Sequence, residues 1–297
     1  MDLRALRVFV EVVRQGGFSR AAKVVFATQS TVSKAVKQLE DEIGAPVLDR
    51  TLTPPGLTAA GEVVFRRAIA MLAERDSLLR ELAELRGLKQ GMVRIGIPPV
   101  GSNLLFAPVF AAYRHRYPGV EVRLVEHGSK RLEELVLNGE LDLAASLLPV
   151  GSEFDWLEVR REPIDLLIAA DHPLATRQEV SMSDLRGVPL ILFSEGFALN
   201  PIILDACKKH GFEPEIATRS SQIDFILELV ASGLGVGFLP RMVALQREHE
   251  DVRHLSINDS DMFWHIAFVW RRSAYLSDAA QAWLDLVRYG DQRVSKE

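Results

Sequence analysis

Between residues 18 and 44 the chain carries two short stretches with helical apolar periodicity, separated by only a few residues. Ser19 precedes the run Ala21, Ala22, Val25 and reads as a helix N-cap. Thr28 reads as the cap of a second helix, in which Val32, Val36, Leu39 and Ile43 recur at spacings of four, three and four and so share one face. The opposite face bears Gln29, Ser30, Ser33, Lys34 and Lys37, close to the helix start. Such a face can simply be solvated. Two capped helices joined this tightly are also what places a helix end in a DNA major groove. Gln29 offers a donor and an acceptor together, the pattern matching the N6 and N7 edge of adenine, whereas Lys34 and Lys37 suit phosphate.

More of the segment follows one pattern: Ala21-Ala22, Thr28-Gln29-Ser30, Val32-Ser33, Leu39-Glu40, Ile43-Gly44, Val47-Leu48-x-Arg50 and Leu57-Thr58-x-x-Gly61. With these motifs the segment resembles the winged helix-turn-helix of the LysR-type transcriptional regulators. The resemblance implies an all-α winged helix-turn-helix over residues 1–57, with Thr28, Gln29, Ser30, Ser33, Lys34, Lys37 and Arg50 at the DNA. Two departures matter. Ala35 stands where family members often carry Gln, and Thr53 stands where the wing usually has Arg or Lys. Pro54-Pro55 stiffen that loop, leaving Arg50 as the wing's strong phosphate ligand, and weaker nonspecific affinity is the expected consequence.

From Thr58 to about Arg86 the chain has no proline and one early glycine, Gly61. A single helix is predicted, about 45 Å long at roughly 1.5 Å per residue. Phe65, Ala68, Leu72, Leu79 and Leu82 keep the alternating spacing of a coiled-coil seam, interrupted at Arg75. A lone surface helix can show the same pattern, but it would not normally bridge two domains. Residues 58–90 are therefore read as a linker and dimerisation helix, ended by glycines at 87 and 91. A dimer sets two recognition helices on two half-sites of an interrupted palindrome in double-stranded DNA.

After Gly91, short β-branched runs alternate with helical ones, which indicates an α/β domain with a largely parallel sheet. Strands are predicted over 93–97, 120–125, 141–147, 164–169, 190–193, 235–238 and 266–269. Helices are predicted over 103–116, 130–138, 201–211, 222–232 and 277–288. With Tyr117-Pro-Gly-Val120, Gly139-Glu-Leu-Asp142 and Val230-Ala-Ser-Gly-x-Gly-Val-Gly237, residues 91–297 resemble the effector-binding domain of the same family, which is similar to type 2 periplasmic binding proteins. That implies two lobes, about 91–163 with 267–297 and about 164–266, and a small-molecule effector between them.

In open α/β lobes, ligands sit beyond the carboxyl ends of strands, where helix N-termini present free N–H groups. Pro98-Pro99-Val100-Gly101-Ser102 and His127-Gly128-Ser129 are two such places. Glu195-Gly-Phe197-Ala-Leu-Asn200-Pro201 is a third, with Asn200 read as an N-cap and Pro201 as the first helical residue. Facing helix starts suit a small carboxylate. Each Ser or Asn also has the plainer reading of a cap, and Phe197 that of a packing residue. Ser146 and Ile223 join the set, with Pro99, Val100, Gly101, Ser102, Gly128, Ser129, Phe197, Asn200 and Pro201, by resemblance to cleft-lining positions.

Composition narrows the alternatives. The 297 residues suggest about two domains, and 48% hydrophobic content supplies their cores. The net charge of −5 divides into +2 over residues 1–60 and −7 over the rest, so the overall sign is no objection to DNA binding by the first segment. Cys207 is the one cysteine, which excludes an intramolecular disulfide and a cysteine metal cluster and reads as a buried structural thiol. The start of the chain lacks a signal-peptide apolar run, and no run reaches the length of a membrane span, so a cytoplasmic location is expected. Catalytic and nucleotide-binding fingerprints are missing; Gly233-Leu-Gly-Val-Gly237 enters a strand instead of leaving one. Glu133-Glu134 and Asp41-Glu42 read as solvated helix-surface charges. No cofactor, metal or membrane partner is expected.

The reading is a sequence-specific, effector-modulated DNA-binding regulator and not an enzyme, dimeric through the linker helix and assembling to a homotetramer, with RNA polymerase as a further partner. A ligand-independent repressor or architectural protein, and a cytosolic small-molecule binding protein, stand as alternatives.

Overall fold

The computed structural model describes residues 2–85, 91–272 and 274–294. The chain divides into two compact units, Met1–Leu88 with Leu137–Glu140, and Lys89–Val136 with Leu141–Glu297.

The first unit opens with α1 (Leu3–Arg14), capped by Asp2, whose carboxylate accepts from the Arg4 N–H at 3.0 Å. α2 (Phe18–Val24) and α3 (Gln29–Ile43) follow. Gly17 is the N-cap of α2 and Ser19 lies inside its first turn, so the cap expected at Ser19 is displaced by two residues. Thr28 is the cap of α3, accepting from the Thr31 N–H at 3.2 Å, and Gly44 closes that helix in the left-handed region at φ +77. Val32, Val36 and Leu39 are fully buried in one core with Leu6 and Phe9 of α1, and Ile43 packs at the edge of this core. Strands β1 (Leu48–Asp49) and β2 (Gly56–Leu57) pair antiparallel to make the wing.

α4 (Ala59–Leu85) is the long helix, 27 residues in one run. Its first turns belong to the N-terminal core: Ala68 and Ile69 are buried there, Phe65 and Leu72 pack against it, and the Phe65 ring meets Phe9 edge-on at 6.2 Å. Of the predicted seam, Phe65, Ala68 and Leu72 are thus occupied inside the protomer, and only Leu79 and Leu82 are exposed. Among the described side chains, the large apolar ones of α4 that face solvent are Val63, Met71, Leu78, Leu79 and Leu82. The sequence pattern misses this because a core stripe and a dimer stripe on one helix have the same period. The predicted end of the helix at 87 lies outside the described residues.

The second unit is a mixed sheet with helices packed on it. Its elements in order are β3 (Met92–Ile97), α5 (Ser102–Leu105), α6 (Ala107–Arg116), β4 (Glu121–Glu126), α7 (Ser129–Leu137), β5 (Leu143–Leu147) and β6 (Phe154–Ala169). β7 (Glu179–Val180), β8 (Leu190–Phe193), α8 (Leu199–Lys209), β9 (Ile216–Ser220), α9 (Ile223–Ala231), β10 (Gly237–Pro240), α10 (Arg241–Ala244), β11 (Val252–Ile257), β12 (Phe263–Arg271) and α11 (Asp278–Val294) complete it. β3 pairs parallel with β4 and β5, whereas β12 pairs antiparallel with β5 and β6. β6 runs on into a second lobe, where β10 and β11 pair antiparallel with its later half; β8 and β9 form a parallel pair there.

The sheet is therefore mixed where a largely parallel one was expected, because β12, returning into the first lobe, runs antiparallel to both β5 and the first half of β6, and only β6 continues into the second lobe. Pro163 stands opposite Phe263, so the return crossing lies before Phe263 and not at residue 267. The first ten residues of β6 escape the sequence pattern because Asp155, Glu158, Arg160, Arg161 and Glu162 break up its apolar alternation. β9 and β11 escape it for the same reason, being short and polar on one side. The helix predicted over 103–116 divides at Phe106, whose buried ring packs on Phe268 of β12 at 5.1 Å, and Pro108 sits in the first turn of α6.

Candidate DNA-reading face and effector cleft

On α3, Thr28, Gln29, Ser30, Lys34 and Lys37 are exposed and Ser33 is half-buried. Thr28 is spent within the chain: its hydroxyl bonds the Ser30 hydroxyl at 2.9 Å and the Thr31 hydroxyl at 2.8 Å besides capping the helix. Gln29, the first residue of α3, has its Oε1 held at 3.2 Å by the Ser19 hydroxyl of α2. Arg50 does not stand free on the wing. Its guanidinium pairs with Glu40 at 2.9 Å and lies over the Phe18 ring at 5.4 Å. Glu40 also accepts from the Val47 N–H at 3.0 Å, tying α3 to the wing. The role of sole wing phosphate ligand thus competes with a structural one.

Sequence reasoning passed over three exposed residues of this face or its turn. Arg20, whose guanidinium donates to the Gly16 carbonyl at 2.9 Å, and Lys23 add cations along α2. Phe26 in the turn is 96% exposed with φ +53, an uncommon conformation for a bulky residue. Their signal was visible as charge and aromaticity beside the capped helices.

In the second unit, glycines bring the lobes together. A Cβ on Gly128, in the loop before α7, would strike the Gly196 carbonyl, with its carbon at 2.8 Å and the Phe197 nitrogen at 3.4 Å. Gly101 adopts φ +79, and a Cβ there would stand 2.8 Å from the Trp264 ring and 3.6 Å from Val243. Trp264, 2% exposed at the start of β12, thus lies against the 98–102 loop. Strand periodicity is clear only from 266 onward, so the sequence pattern overlooks this residue.

Three of the predicted polar ligands make hydrogen bonds inside the protein. The Ser102 hydroxyl donates to the Pro98 carbonyl. Asn200 is buried in the first turn of α8, behind an N-cap at Ala198. Its side chain accepts from the Phe193 N–H at 3.0 Å and donates to the Phe193 and Ser194 carbonyls at 2.8 and 3.1 Å. It is a clamp on the end of β8 and not the expected cap, and Pro201 falls two residues further into the helix than expected. Ser146 is fully buried and its hydroxyl donates to Glu133 of α7. Burial raises the Glu133 carboxyl above its ordinary pKa, partly offset by the Ser146 hydroxyl. Glu133 is therefore no solvated surface charge, whereas Glu134 is exposed and pairs with Arg131.

Val100 is in the core, while Pro99 and Pro201 are exposed. Phe197 stacks on Phe193 at 5.0 Å, and Ile223 is half-buried at the start of α9. At the start of α7, Ser129 is 3% exposed and the first-turn N–H groups have no intrahelical acceptor. In the second lobe Arg219, unremarked in the sequence, donates to the Phe193 carbonyl at 3.3 Å from β9. Among the described residues no group of three or more His, Cys, Asp or Glu side chains could hold a metal, and no helix is long and apolar enough to cross a membrane. Cys207 is buried in α8, and burial pushes its thiol up to about 11, away from the reactive thiolate.

A winged head that turns a capped polar helix outward, carried with a two-lobed α/β unit, defines a DNA-binding regulator with an effector-binding domain. Residues 3–62 match the family model for the bacterial regulatory helix-turn-helix protein, lysR family, and residues 86–291 match that for the LysR substrate binding domain. The chain belongs to the LysR family of transcriptional regulators. It is 36% identical over 286 residues to the uncharacterized HTH-type transcriptional regulator YwbI of Bacillus subtilis (strain 168), covering 96% of this chain and 95% of that protein. With the transcriptional dual regulator GltC of the same organism it shares 33% identity over 243 residues, 81% of each chain. Among solved structures it is similar to a substituted form of full-length OxyR from Pseudomonas aeruginosa, with a TM-score of 0.71 and 27% identity over 97% of this chain and 95% of that one.

Proposed function

We propose that this regulator binds an interrupted palindrome as a dimer, assembles further to a homotetramer, and responds to a small carboxylate held between its lobes. Gln29 reads a base edge, Lys34 and Lys37 neutralise phosphate, and Ser30 and Ser33 supply secondary polar contacts; Thr28 serves chiefly as the cap. The observation that carries the reading is the division of α3. Val32, Val36 and Leu39 are wholly buried while Gln29, Ser30, Lys34 and Lys37 are exposed on its N-terminal half.

Selection from random duplex DNA at fixed salt, with and without a pool of small carboxylic acids, tests it. Enrichment of an interrupted palindrome whose protection shifts with an acid supports the proposal, and no enrichment at low salt sinks it. On the selected site, Gln29→Ala is expected to relax base preference by about 1–3 kcal/mol at one position. Lys37→Ala should weaken operator and random DNA alike and lower the salt slope by about one. Equal effects of both variants on both DNAs contradict this division of labour.

Dimerisation runs through the exposed stripe of α4, with Met71 and Leu78 joining the seam position Leu82 in place of the inner positions Phe65, Ala68 and Leu72. Leu78→Asp with Leu82→Asp is expected to give monomers by sedimentation at micromolar concentration with helix content intact. A dimer of unchanged affinity places the interface elsewhere.

For the effector, a carboxylate suits the α7 start, with Arg219 as the candidate cation of the second lobe. The internal bonding of Ser102, Ser146 and Asn200 favours a second reading, a ligand-independent DNA-binding protein. A rise in melting temperature with an acid separates the two.

A further inference from the structure

Ser19 and Gln29 are ten residues apart on different helices, and their side chains meet at 3.2 Å. We propose that Ser19 is a positioning residue for sequence recognition, fixing the plane and direction of the Gln29 amide before DNA arrives. The inference rests on the reading above that Gln29 contacts a base.

A glutamine has three side-chain torsions, and freezing such a chain on binding costs affinity. On most of the α3 face this cost is unrelieved: Lys34 and Lys37 extend from an exposed helix surface. Gln29 differs because it begins the helix and its side chain reaches the first turn of α2, where Ser19 sits. The neighbouring hydroxyls do not compete for it, since those of Ser30 and Thr31 each bond the Thr28 hydroxyl. With the Ser19 hydroxyl donating to Oε1, the Nε2 donors are turned away from that hydroxyl while Oε1 keeps a second lone pair. The amide then shows donor and acceptor side by side in one fixed order. Adenine presents N7 as acceptor and N6 as donor, whereas guanine presents two acceptors, so a fixed order discriminates between them. A freely turning amide discriminates less. The helix–turn–helix angle thereby sets base preference through one hydroxyl, without that hydroxyl touching DNA.

The test uses the full-length protein, the palindrome it selects from random duplex, and single base-pair changes across each half-site. Ser19→Ala is expected to reduce discrimination two- to tenfold at the one position where Gln29→Ala abolishes it, leaving random-DNA affinity and salt slope unchanged. Ser19→Thr, which keeps the hydroxyl, is expected to restore it. On the Gln29→Ala background Ser19→Ala should add nothing, because the pair acts as a unit. Equal weakening of operator and random DNA by Ser19→Ala would mark a phosphate contact and overturn the inference. Additive losses in the double variant, or wild-type discrimination in Ser19→Ala, overturn it as well. If Gln29→Ala itself leaves every position unchanged, the failure belongs to the base-reading role of Gln29, and the inference falls with it.

Discussion

The Gly61→Ala variant is expected to lose specific DNA binding at temperatures the wild type tolerates, through collapse of its head's packing. Gly61 lies in the first turn of α4, and a Cβ there would land on the Val47 carbonyl oxygen, with the carbonyl carbon at 2.9 Å and a Leu57 methyl at 3.2 Å. Backbone cannot rotate aside as a side chain can. The Val47 carbonyl is also committed, accepting the Thr58 N–H at 3.3 Å, and the Thr58 hydroxyl bridges the Pro46 carbonyl and the Gly61 N–H at 2.6 and 2.9 Å. Moving α4 away breaks these bonds and opens the core where Ala68 and Ile69 pack. Overpacking of this kind costs about 1–3 kcal/mol and more where backbone must shift. Gly44→Ala is the control: its glycine has φ +77 with open space around the missing Cβ, so only the conformational penalty of about 1 kcal/mol applies. Melting of the head, followed by circular dichroism and by operator affinity, should rank Gly61→Ala well below Gly44→Ala. Equal melting temperatures would contradict the steric account.

The head was the most legible part of the chain because its local signals agree. Thr28 is a cap by residue type, and Val32, Val36 and Leu39 define a face by period, and each proved to be so in space. Less legible was the destination of a hydroxyl or amide. Ser102, Ser146 and Asn200 are polar residues at strand ends or helix starts, which qualifies them equally for a ligand or for a neighbouring acceptor. Nothing local distinguishes these fates, since Glu133 reaches Ser146 from a different element and Asn200 turns back on Phe193 seven residues earlier. The α4 stripe is ambiguous for a related reason. Phe65 and Leu79 share one periodic stripe, yet only the first has α1 beneath it, and that is fixed by how the helices are stacked. Trp264 and Arg219 entered the second unit's loops unannounced because they stand where strands begin or end, the positions at which periodicity is weakest.

Steric freedom at Gly128 decides how closely the two lobes can meet, and Gly128→Ala is expected to uncouple effector from DNA. The added methyl would occupy the space of the Gly196 carbonyl, so either the lobes stand further apart or the 194–198 loop retreats. Both responses pull Phe197 away from the start of α7, the place where a bound carboxylate would be covered from the second lobe. A ligand shifts an equilibrium only by its differential affinity for the two arrangements, commonly about 1–3 kcal/mol. Removing the closed arrangement removes that difference. With a carboxylic acid that raises the wild-type melting temperature, Gly128→Ala should bind at least roughly tenfold more weakly. Its DNA protection pattern should stay at the acid-free form, and acid-free operator affinity should change less than about twofold, since no residue of the head is altered. Gly196→Ala separates space from strain, because Gly196 has φ +87 but nothing within 4 Å of the missing Cβ. Its smaller loss of acid affinity would assign the effect to the approach of the lobes; a loss equal to that of Gly128→Ala would assign it to loop conformation. Wild-type acid response in Gly128→Ala would show that lobe contact at this point has no part in signalling.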